Sequence, residues 1–278
     1  MAERLQKMME VKRELKNNFD VKGGFDELSE FYDSDELRFF LDSSKLMVKE
    51  LDLTGVKNIL DVATGTGHTA IEMAKIIPYG SITGIDISRS MLEKAEFKRG
   101  NLSNVEFKQH DMTFLELLYG KYDLITCSFG TYFAKDMVQF FKSVFDKLTE
   151  DGKIVLLNFA EESFMPYGML FVKDLGKMGF FKEFPPSFSI QNRRCLDSLN
   201  MAKFENVKII EKQLQYTIKN PAEWWKIIWG TACRSFLADL SLQDIEVFKD
   251  YHLKKIKTMI DEGINTYKVN ILIIIGTK

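Results

Sequence analysis

The chain has 278 residues, 45% of them hydrophobic, and a formal net charge of -2. With 38 basic and 40 acidic side chains nearly cancelling, there is no global pull toward nucleic acid. Cys127, Cys195 and Cys233 lie far apart without a CxxC pair, and only His68, His110 and His252 could assist a metal, so a disulfide framework and a zinc site are both disfavoured.

The opening stretch MAERLQKMMEVKRELKNNFD is charged throughout and lacks the apolar segment of a secretory signal. The longest aliphatic run, 271–275, is far short of the roughly 20 residues of a membrane span. A cytoplasmic protein with reduced thiols and no membrane span is expected. To about Asp52 the chain reads as helices, with Leu37, Phe40, Leu41, Met47, Val48 and Leu51 at broadly helical spacing. Strand candidates follow at 58–62, 81–86, 105–109, 122–128 and 152–159, with helical periodicity at 69–77, 90–99 and 137–148 between them. Such alternation predicts a parallel sheet covered by helices on both faces. Residues 160–190 are rich in Phe, Met, Gly and Pro and show no clear period. A helix is expected near 193–201, a strand at 207–218, a long helical stretch at 221–263 and a last strand at 267–276. The final two strands are expected to pair antiparallel.

The segment Ile59-Leu-Asp61-Val-Ala63-Thr-Gly65-Thr66-Gly67 is a strand that ends in a glycine-rich turn and runs straight into a helix. Glycine permits positive φ and close ligand approach, and the helix start offers free N–H groups and a positive dipole end. Asp86, 21 residues beyond Gly65, ends the next strand, where a carboxylate can accept from ribose hydroxyls. Gly65-x-Gly67-x-x-Ala70 alone also satisfies a loose dinucleotide fingerprint. Two features argue against a nicotinamide cofactor. Asp61 would crowd a pyrophosphate but suits a cationic amino group. His110-Asp111-Met112 follows the third strand, where an acid can bond an adenine amino group and an apolar neighbour can cover the ring.

Taken together, ILDVATGTG, GIDIS with Met91 after it, VEFKQHDM, YDLITCSF and DGKIVLLNF resemble the class I S-adenosylmethionine-dependent methyltransferases. Within them the chain is most similar to the group holding the ubiquinone and menaquinone biosynthesis methyltransferases and many small-molecule enzymes. The resemblance implies an α/β, Rossmann-like seven-stranded, mostly parallel sheet with a reversed last strand, plus N-terminal helices and helical insertions that form a cap. It implies S-adenosyl-L-methionine as cofactor. Asp61, Gly65, Thr66 and Gly67 would hold the methionine part; Asp86 would hold the ribose; Ile87, Met91, Asp111 and Met112 would surround the adenine. Ala63 stands where the family often has Cys or Gly. Cys127 and Ser128 would lie beside the methyl group, and Tyr32 resembles the aromatic of an N-terminal lid.

The implied chemistry is in-line displacement, in which positioning alone can be worth roughly 7–11 kcal/mol. No histidine is well placed by sequence as a general base, and Cys127 has no neighbour that would activate a thiolate. The expected organisation is an N-terminal helical lid over 1–52 and a methyltransferase domain over 53–278, with cap insertions at about 160–190 and 221–263. A small apolar or aromatic acceptor is expected, with Phe129, Tyr132, Phe164, Trp225 and Trp229 lining its pocket. Trp225, Trp229 and Phe236 would share one helix face that either roofs the site or seals the core. The alternatives are a nucleic-acid or protein substrate and a non-catalytic cofactor-binding homologue. Thr126-Cys127-Ser128-Phe129 lacks the Pro-Pro motif typical of amino-methylating nucleic-acid enzymes, so no nucleic-acid partner is expected. The sequence leaves the oligomeric state open.

Overall fold

The computed structural model describes residues 21–180 and 187–278. Residues 1–20, together with Phe181 and Phe184 of the expected cap, lie outside the described residues. The chain runs α1 (Val21–Leu28), α2 (Phe39–Lys49), β1 (Asn58–Val62), α3 (His68–Ile76), β2 (Ser81–Asp86), α4 (Arg89–Arg99), β3 (Val105–Gln109) and β4 (Tyr122–Ser128). It continues through α5 (Met137–Lys147), β5 (Leu148–Phe159), α6 (Tyr167–Lys177), α7 (Phe188–Met201), β6 (Glu205–Thr217), α8 (Pro221–Trp229), α9 (Leu242–Asp261) and β7 (Thr266–Thr277).

The strands form one sheet in the order β3-β2-β1-β4-β5-β7-β6. β1 to β5 pair in parallel, and β7 runs antiparallel to both β5 and β6. This is the seven-stranded sheet with one reversed strand that the resemblance implies. Chain order reverses between β1 and β4, which opens a crevice at their carboxyl ends, where open α/β sheets bind ligands. Successive side chains alternate between faces. Ile59, Ile82, Leu124 and Leu157 point to one layer with residues of α2, α3, α6, α8 and α9. Leu60, Ile85, Ile125 and Leu156 point to the other, with residues of α5 and α7.

The first four strands fall where the periodicity puts them. β5 begins four residues earlier than expected, because Leu148 pairs with Tyr122 across a register shift. The segment without an evident period contains α6; Tyr167, Phe171 and Leu175 recur every fourth residue and are buried, though glycines and methionines between them blur the pattern. α7 starts at Phe188, where the Ser187 side chain accepts from the Ile190 N–H and caps the first turn. The long stretch after 220 is two helices. Asn220 caps α8 and Ser241 caps α9, and a short 3₁₀ turn, Ala232–Leu237, separates them. The expected face shared by Trp225, Trp229 and Phe236 is therefore corrected. α8 stops at Trp229, since the chain turns at Gly230 and Thr231 caps the next turn, and Phe236 packs instead on Phe171 at 6.2 Å.

Candidate functional site

The crevice is built on the turn after β1. Gly67 precedes α3 with φ 82°, and a Cβ there would meet Phe107 Cζ at 2.9 Å and Ala95 Cβ at 3.0 Å. Only glycine lets the chain pass so close to β3 and α4 in that conformation. Gly67 offers no side-chain cap, so the first N–H groups of α3 are not taken up by one. Across the crevice, Gly130 sits so tightly that a Cβ would come within 2.7 Å of Ala63 Cβ and 2.8 Å of Cys127 Sγ. Ala63 and Phe129 both hold positive φ, at 53° and 56°. The carboxyl ends of β1 and β4 thus meet over small side chains.

Asp61 lies beneath this turn at 1% exposure. One carboxylate oxygen accepts from Thr64 Oγ1 and the other from Thr126 Oγ1, both at 2.6 Å. Burial pushes its pKa up to about 6, against the pull of the two hydroxyls and the Ala70 N–H. No described Lys, Arg or His forms an ion pair with it. A buried carboxylate held by neutral donors and lacking a cation is a fitting neighbour for a cationic ligand group.

Asp86 stands at the end of β2. Its Oδ2 accepts from the Gly65 N–H at 2.8 Å and its Oδ1 from the Ser88 N–H at 2.9 Å. Burial raises its pKa, while those N–H groups favour the charge. Beside it, Ile87 is half-buried and Met91 fully buried in α4. Asp111 caps a short turn by accepting from the Thr113 N–H at 2.8 Å, and Met112 packs partly buried against the α5 side of the sheet.

α1 and the segment after it pack over the glycine loop and the start of α4. Asp26 accepts from Ser88 Oγ at 2.5 Å and from the Ser90 N–H at 3.3 Å. Asp33 Oδ1 receives Thr66 Oγ1 at 2.8 Å, His68 Nε2 at 3.0 Å and Lys98 Nζ at 2.8 Å. Burial opposes the Asp33 charge, yet the bonds from His68 and Lys98 outweigh it and hold the carboxyl well below its usual range. Lys98 also approaches His68 Nδ1 at 3.5 Å. A lysine only donates, so Nδ1 accepts and the proton sits on Nε2, facing Asp33. Tyr32 stacks on Phe40 with ring centroids 4.7 Å apart, and burial beside Asp86 and Asp33 raises its phenol pKa.

The acceptor-side residues separate into two groups. Phe129 packs on Phe159 at 4.4 Å and on Phe40 at 5.1 Å, and Phe164 packs on Phe159 at 5.1 Å. Tyr132 Oη accepts from the Phe159 N–H at 3.0 Å, which fixes the ring beside them. Trp225 stacks on Trp229 at 6.2 Å and approaches Phe248 at 6.3 Å. Among the described residues no ring contact joins the two tryptophans to the phenylalanine group. Cys127 is fully buried, and burial together with Asp61 raises its thiol pKa far above neutrality, which rules it out as a thiolate nucleophile. His110 bonds the Phe114 carbonyl at 2.9 Å, and His252 is wholly buried on α9.

Several of these partners escape a reading of the sequence. Thr64, three residues after Asp61, has a local signal; Thr126, 65 residues away, has none. The Asp33–Lys98 and Asp26–Ser88 bonds span 65 and 62 residues and come only from folding. A cavity of about 620 Å³ lies elsewhere, between α7 and the β6–β7 edge, lined by Glu161, Asn192, Arg193, Glu211 and Asn270 among others. None of the residues expected from sequence to hold cofactor or acceptor lines it. Among the described residues no group of His, Cys, Asp and Glu could hold a metal, and no helix is long and apolar enough to cross a membrane.

Comparison with known proteins agrees with this geometry. Residues 53–219 match the family described as a methyltransferase domain. A demethylmenaquinone methyltransferase from Lactococcus lactis is 30% identical over 46% of this chain and 52% of its own length. A ubiquinone/menaquinone biosynthesis C-methyltransferase from Bdellovibrio bacteriovorus is 31% identical over 46% of this chain and 54% of its own. The chain spans about half the length of these curated relatives. Among solved structures, the YcgJ protein of Bacillus subtilis aligns with a TM-score of 0.55 at 20% identity, covering 85% of this chain and 98% of that one. A methyltransferase from Thermotoga maritima aligns at 0.53 and 19% identity, covering 93% of this chain and 100% of that one. At these identities the structural likeness speaks for the fold, while the matched 53–219 stretch covers more than half of the sequence. The chain belongs to the methyltransferase domain family, within the class I S-adenosylmethionine-dependent group.

Proposed function

We propose that this protein transfers a methyl group from S-adenosyl-L-methionine to a small, apolar or aromatic acceptor. The observation that carries the reading is the pairing of Gly65 with Asp86 at the rim of the crevice, above a buried Asp61 that has no cationic partner among the described residues. Asp61, Ala63, Gly65, Thr66 and Gly67 would receive the amino-acid part. Asp86 would take the ribose with its remaining lone pairs, and Ile87, Met91, Asp111 and Met112 would flank the base. Cys127 and Tyr32 would border the methyl region from below and above. When bound, the cofactor supplies a sulfonium-activated methyl group. This chain's contribution is to align an acceptor and exclude water.

The acceptor reading rests on the aromatic wall of Phe129, Phe159 and Phe164 beside Tyr132. The names of the relatives, which refer to quinone biosynthesis, favour a planar ring of that kind. Trp225 and Trp229 stay in the proposal as a cap over more distant parts of an acceptor. In this organisation 1–52 acts as a lid on a domain of 53–278 whose insertions at 160–190 and 221–263 form the cap. Unpaired thiols at all three cysteines fit a cytoplasmic setting.

The test has two steps. S-adenosylhomocysteine at a hundredfold excess over its dissociation constant should stabilise the fold by about 2.7 kcal/mol, and NAD should not. Labelled cofactor should then mark members of a panel of quinols, phenols, small thiols and heteroaromatic amines. A melting shift with NAD alone overturns the cofactor, and labelling only of tRNA, DNA or protein overturns the acceptor class.

A further inference from the structure

Three hydroxyls form a line from α2 to the carboxyl end of β4. Ser44 Oγ donates to the Phe40 carbonyl at 3.0 Å. Thr69 Oγ1 donates to Ser44 Oγ at 3.0 Å, and Thr69 Oγ1 and Ser128 Oγ lie 2.9 Å apart. Each hydroxyl carries one proton, and a carbonyl carries none to give. The Ser44 proton is therefore committed to Phe40, and the Thr69 proton is committed to Ser44. The proton between Thr69 and Ser128 must then come from Ser128. One backbone carbonyl thus sets the direction of the whole chain.

Ser44 and Thr69 are each 2% exposed, whereas Ser128 is half-buried, so the line opens only at Ser128. Its proton points inward, and what remains on the open side is lone-pair capacity. The opening lies at the end of β4, between fully buried Cys127 and Phe129, whose ring packs on Phe40. Tyr132 is occupied by its bond from the Phe159 N–H.

We propose that Ser128 is a pre-oriented hydrogen-bond acceptor that selects an N–H or O–H group on a ligand in the crevice, with Ser44 and Thr69 as its positioning residues. The proposal rests on the methyltransferase reading. Two ligand groups share the required chemistry: the ammonium of the cofactor's amino-acid part, and a hydroxyl or amine on the methyl acceptor. Ether, carbonyl and phosphate oxygens are refused, because Ser128 has no proton to offer them.

The experiment is calorimetric titration of wild type, Ser128→Ala and Ser44→Ala. The probes are S-adenosylhomocysteine and 5′-methylthioadenosine, which lacks the amino-acid part. In protein saturated with S-adenosylhomocysteine, hydroquinone is compared with 1,4-dimethoxybenzene. Ser128→Ala should weaken S-adenosylhomocysteine or hydroquinone about tenfold or more and leave methylthioadenosine, which lacks the ammonium, unchanged. A loss confined to S-adenosylhomocysteine assigns the ammonium; a loss confined to hydroquinone assigns the acceptor. Ser44→Ala keeps the Ser128 side chain but releases the direction of the line. It should weaken the same probe that Ser128→Ala weakens and, where that probe is hydroquinone, improve 1,4-dimethoxybenzene relative to it, an inversion that loosened packing would not produce. Wild-type affinity for every probe in Ser128→Ala, or an equal loss for methylthioadenosine and S-adenosylhomocysteine, overturns the proposal. Failure of S-adenosylhomocysteine to bind wild type instead defeats the methyltransferase reading beneath it.

Discussion

Gly65 and Asp86 are joined by a 2.8 Å hydrogen bond from the turn N–H to the carboxylate, so the loop after β1 and the acid after β2 form one rigid unit. Asp86 also holds the Ser88 N–H at the start of α4. The acid is therefore structural, and under the proposed function it also faces the ribose. Asp86→Ala should weaken S-adenosylhomocysteine by roughly 1.5–3 kcal/mol, as for a lost charged hydrogen bond. It should also lower the melting temperature, because two backbone donors lose their partner. Calorimetry and thermal melts read the two effects separately; unchanged affinity in a folded variant would return Asp86 to a turn residue.

Asp61 predicts a pH dependence. Its folded pKa of about 6 lies above the unfolded value of 3.8, so the native state binds more protons than the unfolded state between them. Its contribution is fully present below about pH 4 and is lost as pH rises through 6, a cost of about 3 kcal/mol at neutrality. A cationic ligand group nearby favours the ionised form. Affinity for S-adenosylhomocysteine should therefore rise between pH 5 and 7, and Asp61→Asn should flatten that profile.

Asp33 fastens the covering segment to the glycine loop through Thr66, His68 and Lys98. Its folded pKa is depressed, so the clasp holds above the ordinary carboxylate range and is lost as pH falls below it. Asp33→Asn should keep the Thr66 bond and lose the ionic one to Lys98. Stopped-flow displacement of S-adenosylhomocysteine should show a several-fold faster release, with less dependence on salt. Release at the wild-type rate would mean that this segment does not gate the crevice.

α9 carries a second buried titratable group, His252. Trp224 Nε1 donates to His252 Nε2 at 2.9 Å, and His252 Nδ1 faces Asp174 Oδ2 at 2.9 Å; Lys255, which bonds Tyr251, pairs with the other Asp174 oxygen. An indole only donates, so Nε2 must stay unprotonated. Burial lowers the His252 pKa below its ordinary value near 6.5. The unfolded chain then takes up the proton first, and stability falls as pH drops below about 6.5. Melting curves from pH 5 to 8 should show that loss. Trp224→Phe should lower stability by about 1–3 kcal/mol while reducing the acid sensitivity.

The sequence by itself determined the sheet and the frame of the crevice. β1 to β4 are short apolar runs bounded by turns, and alternation of burial along them follows from a period of two. Gly65, Gly67 and Asp86 were legible because the turn, the helix start and the following strand end are local features at a fixed spacing of 21 residues. α6 was hidden because glycine and methionine interrupt its apolar repeat, and the end of α8 was hidden because capping by Thr231 overrides a spacing that looks helical.

Only the tertiary structure decided which groups share a proton or a charge. Thr126 reaches Asp61 because β1 and β4 are neighbours in the sheet, 65 residues apart in the chain. Lys98 and Asp33 meet because α4 and the covering segment pack on the same loop. The Ser44–Thr69–Ser128 line crosses α2, α3 and β4, and its direction comes from a single backbone carbonyl. Hydrogen bonds of this range leave no periodic trace, because their geometry depends on how elements dock and not on the spacing within any one of them.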